Sequence, residues 1–532
     1  MSELNRRSFL AGGVGVAGGV GAAVLLGVGL PYALGPSSAS SDGAVLVSRL
    51  RRPRPFTQPL RVPPVLSPTH STADSDYYAI TARQAAVSIV PGTTTRIFGF
   101  NGIFPGPTII SRRDRTTTVL HRNELPIPIV VHLHGGHTPV ESDGYPIDLV
   151  YPVDMRYLNA HRMAMGGSTK GMPGIGSDDA GDVSHGQRVY TYPMHQRAAT
   201  LWYHDHRMGF TGPSVWRGLA GFHLVRDEEE DALHLPSGRY ELPLFLADRS
   251  FEADGSFRYP STDPTMVNTP GVTTSFIAGV LGDVMLVNGV PWPNAAVDRA
   301  SYRLRILNGC NARRLKLRLD PPPEGGIVQI GTEGGILAAP LAHDDFELAE
   351  AQRLDAIIDF SRYRPGTEVT LYNDFGEGEM GRIMRFTIRP DSGHRYNVPD
   401  RLSDLRPVDA SRAAITRSFR FQAGGPGWVV NAQPFSPDVA LARPQLGQLE
   451  IWELFADSYH PVHAHLDPFQ IIARGITGPG PYDAGWKDTI DLKPAEQARI
   501  AVQFNDYAGR FVFHCHNLEH EDMAMMANFI TS

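Results

Sequence analysis

Cysteine is almost absent: only Cys310 and Cys515 occur in 532 residues. At most one disulfide can form, which excludes a disulfide-framework protein. An excess of basic charge is also missing. Lys and Arg number 49 against 56 Asp and Glu, a formal net charge of −7, so no basic field is present to draw in nucleic acid. Charged residues make up only 20% against 42% hydrophobic, which excludes global disorder and leaves ample material for packed cores. Long helices are disfavoured by the abundance of glycine (54) and proline (43). Short β-branched or aromatic runs, such as residues 94–100 and 369–372, instead lie between Gly, Pro and Asn turns, the pattern of sandwich strands. The composition leans all-β, and the length suits about three domains.

The N-terminus carries Asn5-Arg6-Arg7-Ser8-Phe9-Leu10 ahead of a Gly/Ala/Val/Leu stretch over residues 11–30. Paired arginines before a mildly hydrophobic run are the mark of a twin-arginine export signal. About 20 apolar residues can span a bilayer, but the many glycines make a weak membrane helix, and Ser37-Ser38-Ala39 offers a small-residue cleavage site. No cysteine follows the run to take a lipid. The expectation is a signal over residues 1–39, recognition by the twin-arginine translocation machinery, and an extracellular, periplasmic or envelope location with no stable membrane partner after processing. That route carries folded proteins, which suits a chain that takes up its cofactor before crossing.

Residues 40–74 are rich in Pro, Ser and Arg and read as an extended arm over the folded body. Three β blocks follow at 75–228, 229–390 and 413–532. The charge run Asp227-Glu228-Glu229-Glu230-Asp231 closes the first block, and a polar linker over 391–412 precedes the third. No close internal repeat is evident. Residues 166–186, rich in Gly, Ser and Asp, read as a surface loop. Cys310 reads as a small buried residue.

Of 20 histidines, ten fall in four motifs: His132-Leu133-His134, His204-Asp205-His206, His460-Pro461-Val462-His463-Ala464-His465, and His514-Cys515-His516 with His520 nearby. Alternate residues of a strand share a face, so each His-x-His pair sends two imidazoles the same way from points about 6.5–7 Å apart. One such pair is usually structural; four in one chain specify a multinuclear metal site. The last motif names the metal. Two His, one Cys and a weak axial Met form the trigonal site of blue copper electron-transfer centres. Cys515, His520 and Met525 supply three of these ligands, with His460 the natural fourth. Structural zinc usually takes several cysteines, and only one is near. Alternation also puts Cys515 on one face and His514 and His516 on the other, so one strand joins a mononuclear site to the cluster by covalent bonds.

With these motifs in family order, the sequence resembles the multicopper oxidases, and among them the spore-coat laccase, bilirubin oxidase and phenoxazinone synthase branch. Nearly all of the chain after the arm shares the resemblance. It includes Phe100-Asn101-Gly102-Ile103-Phe104-Pro105-Gly106-Pro107-Thr108, Ser142-Asp143-Gly144-Tyr145-Pro146, Leu201-Trp202-Tyr203-His204 and Asp355-Ala356-Ile357-Ile358-Asp359-Phe360. The resemblance implies an all-β chain of three cupredoxin-like Greek-key sandwiches holding four coppers. His460, Cys515, His520 and Met525 match the type 1 ligands. His132 and His463 match the type 2 pair, and His134, His204, His206, His465, His514 and His516 match the type 3 pair. Asp143 and Glu521 match acidic residues near the cluster that move protons to oxygen. His137 has no ligand counterpart and reads as a support or surface residue. Met163, Met165 and Met172 are few for the copper-handling loop of cuprous oxidases.

The implied activity is that of a laccase-like oxidase, which couples four one-electron oxidations of phenols or aromatic amines to reduction of O2 to two waters. Electrons would arrive at the edges of His460 or His520. Within the enzyme class the alternatives are 2-aminophenol coupling, bilirubin oxidation and oxidation of Cu(I) or Mn(II). Outside it stands an envelope copper-binding protein, which would need only the type 1 ligands and not eight further histidines.

Overall fold

The computed structural model describes residues 41–164, 181–425 and 427–532. The export signal and most of the 166–186 loop, with Met165 and Met172, lie outside the described residues, as do the side chains of His161 and Met163. Strands stack as pairs of sheets in three successive sandwiches. In the first, Ser75–Val87, Thr95–Phe100, Thr116–Asn123 and Gln187–Tyr192 face Gly106–Arg112, Val131–His134, Ala199–Asp205 and Ala220–Arg226 across a shared core. In the second, an eight-stranded sheet containing Glu241–Phe251 and Ser301–Asn308 packs on a five-stranded sheet containing Leu315–Asp320 and Arg382–Ser392. The third pairs the sheet of Ile415–Gly424 and Leu449–Ala456 with the sheet of His460–Ala464, Gly509–Cys515 and Met526–Thr531. Among the described residues, no helix is long and apolar enough to cross a membrane.

The three sandwiches repeat one wiring. In each, an early strand runs parallel to a later one in the first sheet: Ser75–Val87 with Thr116–Asn123, Glu241–Phe251 with Ser301–Asn308, Ile415–Gly424 with Leu449–Ala456. In each, a second parallel pair forms in the other sheet: Gly106–Arg112 with Ala220–Arg226, Asn294–Arg299 with Arg382–Ser392, Ala440–Ala442 with Met526–Thr531. The repeat lies in the backbone and not in the side chains, which is why the sequence does not display it.

Two burial patterns separate ordinary strands from those that carry the site. Gln187–Tyr192 alternates, with Arg188, Tyr190 and Tyr192 inward and the residues between them exposed, as a strand with one wet face must. Ala199–Asp205 and His460–Ala464 are instead buried at every position. One face of each packs on its own core; the other is covered where the first and third sandwiches meet. Contacts across this seam include Tyr145 Oη donating to Asn528 Oδ1 (2.8 Å) and Thr211 N donating to Asp522 Oδ1 (2.7 Å).

The charge run at 227–231 is only partly a solvated boundary. Asp227 caps the helix Glu228–Ala232, its carboxylate accepting from Glu230 N at 2.7 Å. Glu230 then turns inward to a buried cluster on the second sandwich. Arg303 pairs with Glu230 and, at 2.5 Å, with Asp355; Arg305 meets Glu230 at 2.5 Å and Glu241 at 2.6 Å. Burial alone raises the Glu230 carboxyl, but Arg305, Arg303 and Arg226 overcome it and hold the group at about 2, below its ordinary 4.5. A depressed carboxylate stabilises the fold fully above its unfolded value and ceases to do so as pH falls through its folded value. Wild-type unfolding free energy should therefore fall between pH 4.5 and 2, and Glu230→Gln should remove about 3 kcal/mol of that dependence. Arg303→Ala, which removes the two-point partner of Asp355 and one of the three guanidiniums on Glu230, should cost about 3 kcal/mol at neutral pH. Denaturant unfolding of the three proteins across pH checks both expectations.

Candidate metal centre

Strand register assembles the histidines. In the first sandwich His204 lies opposite His132, and Trp202 opposite His134. In the third, His463 lies opposite His514, and Val462 opposite Cys515. Alternation turns both sets toward the seam, where His132 stacks on His465 with ring centroids 3.8 Å apart and His134 on His463 at 3.6 Å. Within each His-x-His motif the rings lie 4.9–5.7 Å apart, closer than their backbone spacing because the side chains lean together.

Eight rings form three groups, and each motif divides between two of them. His132 and His463 bring their Nε2 atoms to 3.4 Å. His514 Nε2 lies 3.2 Å from that of His206 and 3.3 Å from that of His465. His134, His204 and His516 place one ring nitrogen each within 4.8 Å of the others. The opposite ring nitrogens are mostly engaged. Nδ1–H of His132 donates to the Asp143 carbonyl (2.6 Å), that of His463 to the Asp488 carbonyl (2.8 Å), and that of His204 to the Asp205 carbonyl (2.9 Å). His465 Nδ1 meets Asp143 Oδ2 at 2.8 Å, and His134 Nε2 meets Asp488 Oδ1 at 3.0 Å. The Asp143 carbonyl reaches His132 because the chain doubles back at Gly144, where φ is +82° and a Cβ would lie 2.3 Å from the Val131 carbonyl oxygen.

These bonds fix the tautomers, so the nitrogens that converge carry lone pairs. Burial, reinforced by the neighbouring rings, pushes His132, His134, His465 and His516 well below the usual histidine range, His204 to about 3 and His206 to about 4. The rings are neutral and ready to ligate. His134 Nδ1, His204 Nε2 and both nitrogens of His516 are buried without a hydrogen-bond partner, although buried polar atoms are normally satisfied. Metal bonds of about 2 Å span nitrogens at about 3.3 Å. The donor set fits metal ions, and bonds to them would satisfy these atoms.

A fourth site lies on the other side of the Gly509–Cys515 strand. Cys515 Sγ is 3.5 Å from His460 Nδ1 and 3.6 Å from His520 Nδ1, and those two nitrogens are 3.2 Å apart. Asn517 caps the helix Leu518–Asp522, accepting from Glu519 N and His520 N, and so turns His520 back toward Cys515. Cys515 N donates to the Met525 carbonyl, and Met525 N to that of His520. Cys515 and Met525 share the core of the third sandwich. Burial pushes the Cys515 thiol well up, so a thiolate here requires a cation beside it. Cys310 is free and buried elsewhere.

Family models described as multicopper oxidase match residues 81–156, 161–230 and 405–532. The chain belongs to the multicopper oxidase family. It is 34% identical to a laccase from Bacillus stratosphericus over 88% of this chain and 98% of that one. A bilirubin oxidase from Albifimbria verrucaria is 31% identical over 89% of this chain and 81% of its own. A crystal structure of a multi-copper oxidase from Pediococcus acidilactici superposes with a TM-score of 0.76 at 30% identity, covering 92% of this chain and 93% of that one. The chain is a laccase-like copper oxidoreductase that uses O2.

The structure brings the ten histidines of the four motifs and Cys515 into four groups, with Met525 in the same core as Cys515, and places other residues that were not singled out. Asp488 supports His134 and His463 and is itself held by Arg353 Nη1 at 2.9 Å; no local motif announces it. Asp457 Oδ1 accepts from His460 Nε2 at 2.9 Å. The expectation that His460 or His520 offers an edge to the reductant needs correction. Both rings are wholly buried, and the partly exposed Trp428 covers His520 with centroids 3.9 Å apart. His137 is a buried support: Nδ1 lies 3.2 Å from Asp467 and Nε2 3.1 Å from Asp506, and the two carboxylates overcome burial to raise its pKa. It lines a cavity of about 630 Å³ whose wall runs from buried His132, His463 and His465 to exposed His195 and Asp506.

Met525 packs with Cys515, whereas Met526 joins a separate cluster with Tyr145, Met208 and Phe435. A thioether donated to a copper held by His460, Cys515 and His520 would favour the more positive Cu(II). If that copper is bound there, Met525→Leu should raise its potential while sparing copper content, and Met523→Leu and Met526→Leu should leave it nearly unchanged. A redox titration of the blue band in the three variants tests the register; a large shift in Met526→Leu alone would refute it.

Proposed function

We propose that the oxidase holds four coppers and oxidises phenols and aromatic amines, taking four electrons singly to reduce one O2 to two waters. The observation that carries this reading is the division of eight lone-pair-bearing imidazoles into three adjoining groups, joined through Cys515 to a separate His2Cys site. In this reading His460, Cys515, His520 and Met525 hold the type 1 copper, and His132 and His463 the type 2 copper. His134, His204 and His516 hold one type 3 copper; His206, His465 and His514 hold the other. Copper supplies the one-electron redox chemistry and the binding of O2.

The chain supplies geometry, exclusion and protons. Buried ligands keep bulk reductants away from the cluster, while the cavity beside His132 and His463 gives small molecules a way in and out. Burial, then the nearby Asp148, raises the Asp143 carboxyl well above its ordinary value. Its Oδ1 has no hydrogen-bond partner, so Asp143 can hold a proton at that atom. Glu521 is the converse: burial opposes ionisation, but His514 and His206 overcome it and hold the carboxyl below its usual range. Thr211 Oγ1 donates to Glu521 Oε1 at 2.6 Å, and Oε2 lies 3.2 Å from His514 Nδ1. One carboxyl pushed up and one pushed down thus flank the cluster, which suits a reaction that consumes four protons per O2. Arg6-Arg7 and the apolar run after them support twin-arginine export and a location outside the cytoplasm, with copper acquired before crossing.

Copper analysis together with O2 uptake on a simple phenol tests the whole reading; about four coppers and phenol-dependent uptake are expected. Cys515→Ser should abolish both the blue colour and turnover while keeping the type 2 signal, and a variant that stays blue would overturn the type 1 assignment. Glu521→Gln should slow O2 uptake on the order of 10²-fold at normal copper content. Undiminished turnover across pH would remove Glu521 from the proton path.

A further inference from the structure

The two residues before His460 are anchored by a part of the chain more than 400 positions away. We propose that Asp42, at the start of the extended arm, is a positioning residue for His460. The inference rests on the reading of His460, Cys515 and His520 as the type 1 site. Asp42 Oδ2 accepts from the backbone N–H of Tyr459 at 2.9 Å and from the Ser458 hydroxyl. Asp457, on the far side of the same turn, accepts from His460 Nε2 at 2.9 Å and from Ala423 N at 2.8 Å. The turn between Asp457 and His460 is therefore tied at both ends, to its own sandwich by Asp457 and to the arm by Asp42.

Asp42 is itself held firmly. Arg314 N donates to Ser41 Oγ at 3.1 Å. Gly43 abuts Gly279 so closely that a Cβ on it would lie 2.9 Å from the Gly279 carbonyl oxygen. Ala44–Val45 then pairs in parallel with Val280–Leu281, and Leu46 is buried against Trp216 and Val280. The stretch that receives the arm also holds the second histidine. The Ala278 carbonyl accepts from Asn517 Nδ2 at 3.1 Å, and Val280 N donates to Glu519 Oε2 at 3.0 Å; both partners belong to the turn and helix that carry His520. The Ile277 carbonyl accepts from Trp428 Nε1 at 2.8 Å, fixing the indole over His520. The arm and residues 277–281 thus make one frame, touching the His460 side through Asp42 and the His520 side through Asn517, Glu519 and Trp428.

The test uses the full chain, copper-loaded, as Asp42→Ala and Asp42→Asn, with the exposed Asp74→Ala as control. Copper content, the blue absorption band, the type 1 hyperfine splitting and the type 1 potential are measured. Asparagine keeps an oxygen for Tyr459 and Ser458, so Asp42→Asn should match the wild type. Asp42→Ala should move the band, the splitting and the potential while the type 2 signal stays unchanged. The proposal is overturned if Asp42→Ala matches the wild type, or if both variants shift equally, because charge alone would then account for the effect. Should Asp42→Ala fail to accumulate, Ser458→Ala, which deletes one of the two donors, must move the band for the proposal to stand. A Cys515→Ser protein that remained blue would remove the type 1 reading itself, whereas a blue wild type with an unmoved Asp42→Ala would remove only the tether.

Discussion

Lone pairs that point at one another in a buried seam dominate this molecule. Eight imidazoles converge at N···N separations such as 3.2, 3.3 and 3.4 Å. Unmetallated, these atoms repel and forgo the hydrogen bonds that water would supply. Cations held by them would turn that penalty into adhesion between the first and third sandwiches, and metal binding would then be coupled to the docking of the two sandwiches.

That arrangement requires precision in the opposite ring nitrogens, and the protein supplies it mainly from backbone. Carbonyls of Asp143, Asp205, Asp488 and Cys515 each accept from an Nδ1–H. A carbonyl in a packed strand or glycine turn cannot change rotamer, so the tautomers are set by the fold itself. Side-chain carboxylates serve where backbone does not reach, at His134 through Asp488 and at His465 through Asp143, and Glu521 adds a second contact to His514 Nδ1 at 3.2 Å. Arg353 in turn fixes Asp488 from the second sandwich, so the sandwich that contributes no ligand still steadies the centre.

The ligands were legible in the sequence because their signal is local: period-two spacing on a strand survives translation from string to structure. The sandwich strands at 94–100 and 369–372 were legible for the same reason and appear as Thr95–Phe100 and Glu368–Asn373. What was not legible depends on encounters between distant segments. Asp488 sits in no motif and matters only because Thr489–Leu492 pairs with His460–Ala464. Trp428 covers His520 from a hairpin whose sequence shows only a strand and a glycine turn. Glu521 could be suspected beside His520, but its partner Thr211 lies 310 residues away. The threefold repetition of parallel pairs left no sequence trace, because hydrogen-bond wiring constrains backbone direction and hardly constrains side chains.

The arm makes residues 41–43 part of the interior chemistry. Ser41, Asp42 and Gly43 lie against Arg314, Tyr459 and Gly279. A deletion or a bulky insertion at these three residues is therefore equivalent to a mutation near His460.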